Sequence, residues 1–245
     1  MQISIITVAY NSASTIADTL LSVAGQSHPD IEHIVVDGAS SDSTLEVVRN
    51  QGSHVAWVGS EPDRGLYDAM NKGLAVARGD YVGFLNSDDL FAGPHSVAQL
   101  AAAAESGADA VFGDLVYVKQ QQVDLVVRRW RSEVFQPKRL RYGWIPPHPT
   151  FYVKRSLLAT VGGFDTSLRI AADYDFMLRC LTRAGATAEY VPHVLVRMRL
   201  GGASNASFGA LANKSREDLR VIRRHRLGGW LTLACKNLRK LPQFA

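Results

Sequence analysis

Residues 3–37 read ISIITVAYNSASTIADTLLSVAGQSHPDIEHIVVD, and this stretch decides the fold. It begins and ends with short apolar runs rich in β-branched residues, Ile3–Ala9 and Ile31–Asp37, which are typical of buried strands. Between these runs, the Asn11-Ser12 pair offers an N-cap for a helix over about residues 15–24. A strand, a helix and a second strand in this order predict a right-handed βαβ unit with parallel strands.

The same alternation continues along the first half of the chain. We predict further strands at residues 55–58, 81–85 and 110–112, and helices at residues 44–50, 66–77 and 96–105. Strands that alternate with helices of about ten residues predict an α/β fold whose central sheet is mostly parallel and flanked by helices.

The pattern changes after Asp114. Two segments of alternating polarity flank a Gln-rich turn and predict a β-hairpin, at residues 115–119 and 123–130. Beyond the hairpin we predict strands at residues 150–153 and 194–198, and helices at residues 156–161 and 173–183.

Composition excludes several classes of protein. The chain has 245 residues, of which 47% are hydrophobic and 20% charged, so it can bury a sizeable core and is not disordered. The two cysteines, Cys180 and Cys235, are too few for the disulfide framework of a small secreted protein and have no metal-ligand spacing, so we expect the reduced cytoplasm as the compartment. The N-terminal sequence lacks the pattern of a signal peptide, and no run reaches the roughly 20 apolar residues of a membrane span.

Charge is distributed unevenly along the chain. From Phe208 to the end there are nine Lys or Arg residues and two acids, whereas the preceding residues hold 18 and 21. We therefore expect a slightly acidic domain over residues 1–205, followed by a basic helical tail over residues 206–245 that meets an anionic surface.

Carboxylates follow three strands in this predicted sheet. Asp37 ends the second strand, Asp63 follows the third, and Asp88 with Asp89 follows the fourth. Ligands of open α/β sheets bind at the carboxyl ends of the strands, so we expect these side chains to share one crevice. Two adjacent carboxylates repel each other unless a cation lies nearby, and Mg²⁺ is commonly held by one or two carboxylates together with substrate phosphate. The cluster therefore predicts a nucleotide-diphosphate site.

Several longer stretches resemble family 2 glycosyltransferases of the GT-A fold. The first half carries ISIITVAYN, IEHIVVDGASSDST and SEPDRGLYDAMNKGLAVARGDYVGFLNSDD, and the second half carries HPTFYVKRSLLATVGGFD and AADYDFMLR. The resemblance extends over about residues 2–205 and is strongest to the bacterial branch that makes polysaccharides and glycolipids. It implies a Rossmann-like GT-A domain that moves a sugar from a nucleotide-diphosphate sugar to a hydroxyl of a glycan or lipid-linked acceptor.

The resemblance also implies a donor site and a metal. The positions that match nucleotide-binding residues of the family are Ala9, Tyr10, Asn11, Asp37, Asp63, Arg64, Ser87 and Asp88. A Mg²⁺ or Mn²⁺ ion is expected at Asp88, with Asp89 as a second ligand. Asn86 stands where the family's metal motif has its first aspartate, so one carboxylate is missing and the need for the metal stays open.

In the second half, Asp173 matches the catalytic aspartate of the family, and Ala172 replaces the glutamate before it. The resemblance implies an inverting, single-displacement reaction in which Asp173 is the general base. The start of a helix favours its negative charge.

Further contacts to the donor phosphates or the acceptor are expected from a basic loop after the last predicted strand and from a histidine. These residues are Arg197, Arg199, Ser204 and His148. The loop is expected to close over the phosphates as a lid. Trp130 and Trp144 are either core residues or sugar-stacking residues.

The tail has the pattern of an amphipathic helix. Its apolar side carries Trp230, Leu231, Ala234, Leu238 and Leu241, and its basic side carries Lys236, Arg239 and Lys240. Such a helix either lies on an anionic membrane, here the cytoplasmic face of the inner membrane, or packs on the domain or a second subunit.

Other functions fit the sequence less well than glycosyl transfer does. A nucleotidyltransferase or a dinucleotide oxidoreductase would need a glycine-rich loop after the first strand, and TVAYNSAST has none. A catalytically silent membrane-docking scaffold would be expected to lose Asp88, Asp89 and Asp173, which are all present. Nucleic-acid binding is disfavoured because the aromatic and basic pattern of an RNA-binding sheet is absent. The sugar, the nucleotide, the acceptor and the oligomeric state stay open at this stage.

Overall fold

The computed structural model describes residues 1–201 and 208–239, with side chains of the second range described from residue 213. The first half alternates strands with helices, as the sequence predicts. Its elements are β1 (Ile3–Ala9), α1 (Ile16–Ala24), β2 (Ile31–Asp37), α2 (Thr44–Gln51), β3 (Val55–Ser60), α3 (Leu66–Val76), β4 (Tyr81–Phe84), β5 (Leu90–Phe91) and α4 (Ser96–Ala104).

The second half is more irregular. Its strands and helices are β6 (Ala110–Val118), β7 (Val126–Trp130), β8 (Tyr152–Lys154), α5 (Leu158–Val161), α6 (Ala172–Leu181), β9 (Ala188–Arg199), α7 (Phe208–Arg224) and α8 (Trp230–Leu238). Short 3-10 turns lie at Pro137–Tyr142, His148–Thr150 and Arg155–Leu157.

In the described residues the strands form one sheet in the order β3-β2-β1-β4-β8-β6-β9-β5, with β7 paired to β6. The longest ladders are parallel, since β1 pairs with β2 and β4, β2 with β3, and β6 with β9. The strands β5, β7 and β8 add antiparallel pairs, including the predicted hairpin of β6 and β7. Parallel strands place their carboxyl ends on one edge, where the predicted site lies.

Helices cover both faces of the sheet. On one face, α1, α2 and α4 bury residues such as Leu20, Val48 and Leu100 against the strands. On the other face, α3, α6, α7 and α8 share a single apolar cluster that includes Met70 and Ile222. Burial of these side chains on both faces explains why the central strands read as continuous apolar runs rather than alternating ones.

The boundaries of several elements in the second half differ from the sequence prediction. The strand β9 begins at Ala188 rather than at residue 194, and it continues through Arg199. Pro192 interrupts the apolar pattern, and the ladder with β6 is irregular at this point, passing from Val191 directly to Val194. As a consequence Arg197 and Arg199 lie within a strand and not in the loop that the sequence predicted.

The tail helices pack against the rest of the chain. Leu219, Val221 and Ile222 of α7 and Leu233 of α8 are buried in the same core as α6. The helix α8 lies on the turn Pro137–Tyr142, and a Cβ atom on the neighbouring Gly143 would come within 2.5 Å of the Lys236 backbone. Gly143 also has a φ angle of +71°, so glycine suits this position on both counts.

Lys236 does not lie on the exposed side of α8. Its ammonium group is buried against Asp218, at 2.6 Å, and above the ring of Tyr174, at 3.7 Å. Trp230, Leu231 and Leu238 are exposed, and so is Arg239 from the basic side. The expectation that Lys236 belongs to a solvent-facing basic side was therefore wrong, because a helical pattern alone does not show which side meets the domain. Leu241 and Lys240 lie outside the described residues.

Candidate active site

The carboxyl ends of β1 and β2 form the first part of the site. Tyr10 is 67% exposed and directly follows β1, while the Asn11 N–H donates to Ser40 Oγ at 2.8 Å. The Asn11 amide oxygen in turn accepts the Ser41 N–H at 2.9 Å. These bonds fix the loops after the two strands against each other and leave the Tyr10 ring accessible to a ligand.

Asp37 is fully buried at the end of β2. Its carboxylate accepts hydrogen bonds from the Ser40 N–H at 2.9 Å and from the Ser60 hydroxyl at 2.7 Å. It therefore joins the ends of β2 and β3, a role that sequence position alone does not reveal. A contact between Asp37 and a nucleotide base stays a prediction.

Asp63 lies beside the loops of β1 and β2. A Cβ atom on Gly38 would come within 2.5 Å of Asp63 Oδ2 and 3.3 Å of the Tyr10 ring, so these three residues are direct neighbours. The Gly65 N–H donates to Asp63 Oδ1 at 2.8 Å, and the exposed Arg64 pairs with Asp68 at 2.9 Å. The structure thus brings Tyr10, Asp63 and the loop after β2 together.

The turn after β4 carries the predicted metal ligands. The Ser87 hydroxyl donates to the Ser12 hydroxyl at 2.8 Å, which ties this turn to the loop after β1. Burial raises the pKa of Asp88, and burial together with the charge of Asp88 raises the pKa of Asp89 well above its usual range. Two carboxylates so close together destabilise each other, and a cation beside them would relieve this repulsion.

Two oxygen atoms in this turn are suited to a cation. Asn86 Oδ1 and Asp89 Oδ2 are buried and accept no hydrogen bond from the described residues. Oxygen ligands of this kind fit Mg²⁺ or Mn²⁺, which fill their other positions with water and phosphate. Within the described ranges no group of three or more His, Cys, Asp or Glu side chains could hold a metal, so a cation here would depend on its substrate for further ligands.

Arg199 is buried and engaged with the protein itself. Its Nε donates to the Gln120 carbonyl at 2.9 Å, and its Nη2 pairs with Asp18. Arg197 pairs with the exposed Asp124 at 2.5 Å. Contacts of either arginine to phosphate stay predictions, and Ser204 lies outside the described residues.

Asp173 lies in the first turn of α6 and is half-buried. Its Oδ1 accepts the Tyr174 N–H at 2.7 Å and lies 3.4 Å from the hydroxyl of Tyr67, which donates to the Ile170 carbonyl at 2.8 Å. Tyr67 belongs to α3 and was not among the predicted site residues. The general rule that could have pointed to Tyr67 is that the hydroxyl of a buried tyrosine needs a hydrogen-bond partner.

His148 lies near Asp173. Its ring stacks on Phe84, the last residue of β4, at 5.5 Å, and its Nε2 is buried without a hydrogen-bond partner in the described residues. Burial lowers the pKa of His148, and the negative charge of Asp173 opposes that shift. The neutral ring can therefore offer one nitrogen to a ligand. Trp144, by contrast, is a core residue packed edge-on against Phe112.

The segment 61–67 connects the two parts of the site. Asp63 lies beside Gly38 and Tyr10, and Tyr67, one turn later, lies beside Asp173. A nucleotide on the strand ends and a reacting group at Asp173 would thus be adjacent to the same loop and the same helix. Such an arrangement suits group transfer from a nucleotide-activated donor.

A family model described as Glycosyl transferase family 2 matches residues 4–167 of the chain. The chain belongs to this family. Membership confirms the resemblance noted in the sequence and identifies the protein as a glycosyltransferase.

Two mycobacterial relatives support this assignment. The family 2 glycosyltransferase described here is 38% identical over 178 residues to an uncharacterised glycosyltransferase of Mycobacterium tuberculosis (strain ATCC 25618 / H37Rv), a match that covers 72% of this chain and 68% of the relative. It is 32% identical over 216 residues to a PGL/p-HBAD biosynthesis glycosyltransferase of Mycobacterium bovis (strain BCG / Pasteur 1173P2), covering 86% of this chain and 78% of the relative.

Solved structures share its fold. S. aureus TarS 1-349 in complex with UDP-GlcNAc matches with a TM-score of 0.71 and 22% identity, covering 99% of this chain and 71% of that one. The mannosyltransferase PcManGT from Pyrobaculum calidifontis, in complex with GDP-Man and Mn²⁺, matches with a TM-score of 0.68 and 21% identity, covering 99% and 70%. These likenesses confirm the GT-A fold of the glycosyltransferase.

Proposed function

We propose that this glycosyltransferase moves a sugar from a nucleotide-diphosphate sugar to a hydroxyl of a glycan or lipid-linked acceptor, with inversion at the anomeric carbon. The observation that carries the proposal is the connection, through segment 61–67, between the strand-end residues and Asp173. The family and the nucleotide-sugar complexes of TarS and PcManGT support a donor of this class.

The nucleotide would lie on the strand ends. The exposed Tyr10 ring offers a stacking surface, and Asp63 with Arg64 lies at its edge. Asp37 joins the ends of β2 and β3 beside this surface. Its frame includes Ala9, whose carbonyl accepts the Gly38 N–H, Asn11, whose N–H donates to Ser40 Oγ, and Ser87, whose hydroxyl donates to the Ser12 hydroxyl.

A Mg²⁺ or Mn²⁺ ion fits the turn after β4. Asp88 and Asp89 would hold it, with Asn86 as a neutral third oxygen. When bound, such a cation supplies positive charge that stabilises the leaving diphosphate.

Asp173 would accept the proton of the acceptor hydroxyl as that oxygen attacks the anomeric carbon. Asp173 lies in the first turn of α6, near the positive end of the helix dipole. The neutral His148 would contact a donor phosphate oxygen or the acceptor through its Nε2, which has no partner in the part of the chain that the structure describes. Arg197 and Ser204 are further candidates for the diphosphate.

The acceptor would be presented at a membrane. Trp230, Leu231 and Leu238 form an exposed apolar strip on α8, and the exposed Arg220 and Arg223 lie on the preceding helix α7. An exposed apolar strip in a tail that also exposes basic residues suits peripheral contact with anionic lipid, here the cytoplasmic face of the inner membrane. No helix within the described residues is long and apolar enough to span a bilayer.

Donor hydrolysis by the purified protein tests the proposal. We expect one member of a panel of UDP-, dTDP- and GDP-sugars to release its nucleotide diphosphate when Mg²⁺ or Mn²⁺ is present. In the Asp173→Asn variant the turnover should fall by at least about a hundredfold while donor affinity is kept, because the amide cannot accept the proton. Turnover by Asp173→Asn equal to that of the native chain would remove Asp173 as the base.

A further inference from the structure

Glu217 of α7 makes three hydrogen bonds to the backbone that precedes the helix of Asp173. Its Oε1 accepts the Arg169 N–H at 3.1 Å, and its Oε2 accepts the N–H groups of Ile170 at 2.8 Å and Ala171 at 3.0 Å. A carboxylate that accepts several backbone N–H groups is held strongly, because hydrogen bonds to an ionised group are stronger than neutral ones.

These three residues lead directly into α6. Ala171 is the N-cap, and neither it nor Ala172 has a side-chain oxygen that could fix the start of the helix. Glu217 supplies from α7 an anchor that the local sequence lacks. Its negative charge also lies at the end of the helix where the backbone dipole is positive, which is the favourable arrangement.

The helix α7 is itself fixed against α6, so Glu217 is held in place. Asp175 of α6 accepts hydrogen bonds from His225 at 3.0 Å and from Arg224 at 3.2 Å. Burial alone would raise the pKa of Asp175, but the hydrogen bonds from His225 and Arg179 outweigh it and lower the pKa to about 2. On the other side, Lys236 joins Asp218 to the ring of Tyr174. Contacts from the C-terminal segment thus reach residues 169–171 before Asp173 and residues 174–175 after it.

We propose that Glu217 is a positioning residue for Asp173: by fixing residues 169–171 it sets where the first turn of α6 presents its carboxylate. The proposal rests on the function proposed above and adds to it that the C-terminal helices belong to the catalytic apparatus. The same anchor fixes the Ile170 carbonyl, which accepts the hydroxyl of Tyr67, the residue that lies beside Asp173.

In this proposal Glu217 positions Asp173 and does not bind the nucleotide. Its substitution should therefore change kcat and leave the donor KM almost unaltered. The probe is the sugar nucleotide that the native chain hydrolyses best in the panel described above, and the readout is kcat and KM for release of its nucleotide diphosphate. We expect Glu217→Ala to lower kcat by at least about thirtyfold and Glu217→Gln, which keeps one acceptor oxygen, by about three- to tenfold. The donor KM should stay within about twofold in both variants.

Glu46→Gln is the matched control, since Glu46 is an exposed glutamate in the first turn of α2. Its kcat should equal that of the native chain. If Glu217→Ala does not fold, as judged by circular dichroism and thermal unfolding, the kcat and KM of Glu217→Gln decide the question instead. A kcat of both variants within about twofold of the native value, or a fall in kcat matched by an equal loss of donor affinity, overturns the positioning role.

The two proposals fail in different ways. If Asp173→Asn is inactive and the Glu217 variants keep full kcat, the positioning role alone is overturned. If Asp173→Asn keeps full kcat, the assignment of the base is overturned, and the positioning role is overturned with it.

Discussion

Arg199 Nη1 donates a hydrogen bond of 2.7 Å to the backbone carbonyl of Asp88. The backbone N–H of Arg199 also donates to Asp89 Oδ1 at 3.1 Å, so the end of β9 holds the Asp88 backbone and the Asp89 carboxylate in the turn after β4. Arg199 therefore supports the proposed metal site by fixing the turn that carries Asp88 and Asp89. It could reach a phosphate only if these bonds were broken.

We predict that Arg199→Gln destabilises the fold, because it removes the hydrogen bonds that the buried Arg199 side chain donates to the carbonyls of Asp88 and Gln120. Loss of a buried charged hydrogen-bonding group typically lowers the free energy of unfolding by about 3 kcal/mol. Urea unfolding followed by circular dichroism measures this change.

The control for Arg199 is Arg197→Gln, since Arg197 pairs with an almost fully exposed Asp124. An exposed pair of this kind contributes at most about 1 kcal/mol. Equal stability losses in the two variants would contradict a structural role specific to Arg199.

Asp88→Ala should weaken donor binding in the presence of a divalent cation. The side chain lies beside buried oxygens of Asn86 and Asp89 that have no hydrogen-bond partner among the described residues, and its loss removes one of two carboxylates from the site. By isothermal titration of the best donor with Mn²⁺, we expect affinity to fall at least about tenfold. The exposed Asp124→Ala should bind normally, and native affinity that is the same with Mn²⁺ and with EDTA would argue against a metal here.

The bounds of β1 and β2 could be predicted from sequence because both strands are buried on two faces and appear as uninterrupted apolar runs. The positions of Asp37, Asp63 and Asp88 after successive strands followed from the same pattern. The hydrogen bonds of the buried Asp37 could not be predicted, since one of them comes from Ser60, which lies 23 residues further along the chain.

Glu217 and Lys236 show why the rest could not be predicted. Both belong to the basic tail, where the sequence pattern distinguishes an apolar side from a charged one but not which side meets α6. Lys236 is buried because Asp218 and the Tyr174 ring replace its hydration, and Glu217 finds its partners in backbone N–H groups that carry no sequence signal.

The buried His33, which is paired with the half-buried His54, makes the stability of the fold depend on pH in the mildly acidic range. His33 Nε2 shares a hydrogen bond with the Thr7 hydroxyl and its Nδ1 with His54, both at 3.0 Å. Burial, reinforced by His54, lowers the pKa of His33 from 6.5 to about 3. Below pH 6.5 the unfolded chain therefore takes up a proton that the folded chain refuses until about pH 3, and the free energy of unfolding falls as the pH falls.

We predict a loss of about 2 to 3 kcal/mol between pH 7 and pH 4.5 from this group. Urea unfolding at intervals of pH measures it. The slope should become flatter in His33→Gln and stay unchanged in His28→Gln, which alters a partly exposed histidine. Identical slopes in all three proteins would show that His33 is not the titrating group.

The exposed strip on α8 can be tested without disturbing the fold. Leu233 and Lys236 of the same helix are buried, so deletion of the tail would expose core and confuse loss of binding with unfolding. Trp230 and Leu231 are 67% and 76% exposed, and substitutions there remove apolar surface alone.

We predict that the native chain cosediments with vesicles rich in phosphatidylglycerol and that Trp230→Ser combined with Leu231→Ser lowers this binding at least about tenfold, because each side chain buried in the interface contributes about 1.5 to 3 kcal/mol. Leu21→Ser removes a comparably exposed leucine from α1 and should bind as the native chain does. Binding should also weaken as salt is raised, since basic residues of the tail contribute to attraction. Equal cosedimentation of the native chain and the double variant, both shown to be folded by circular dichroism, would mean that this strip does not contact lipid.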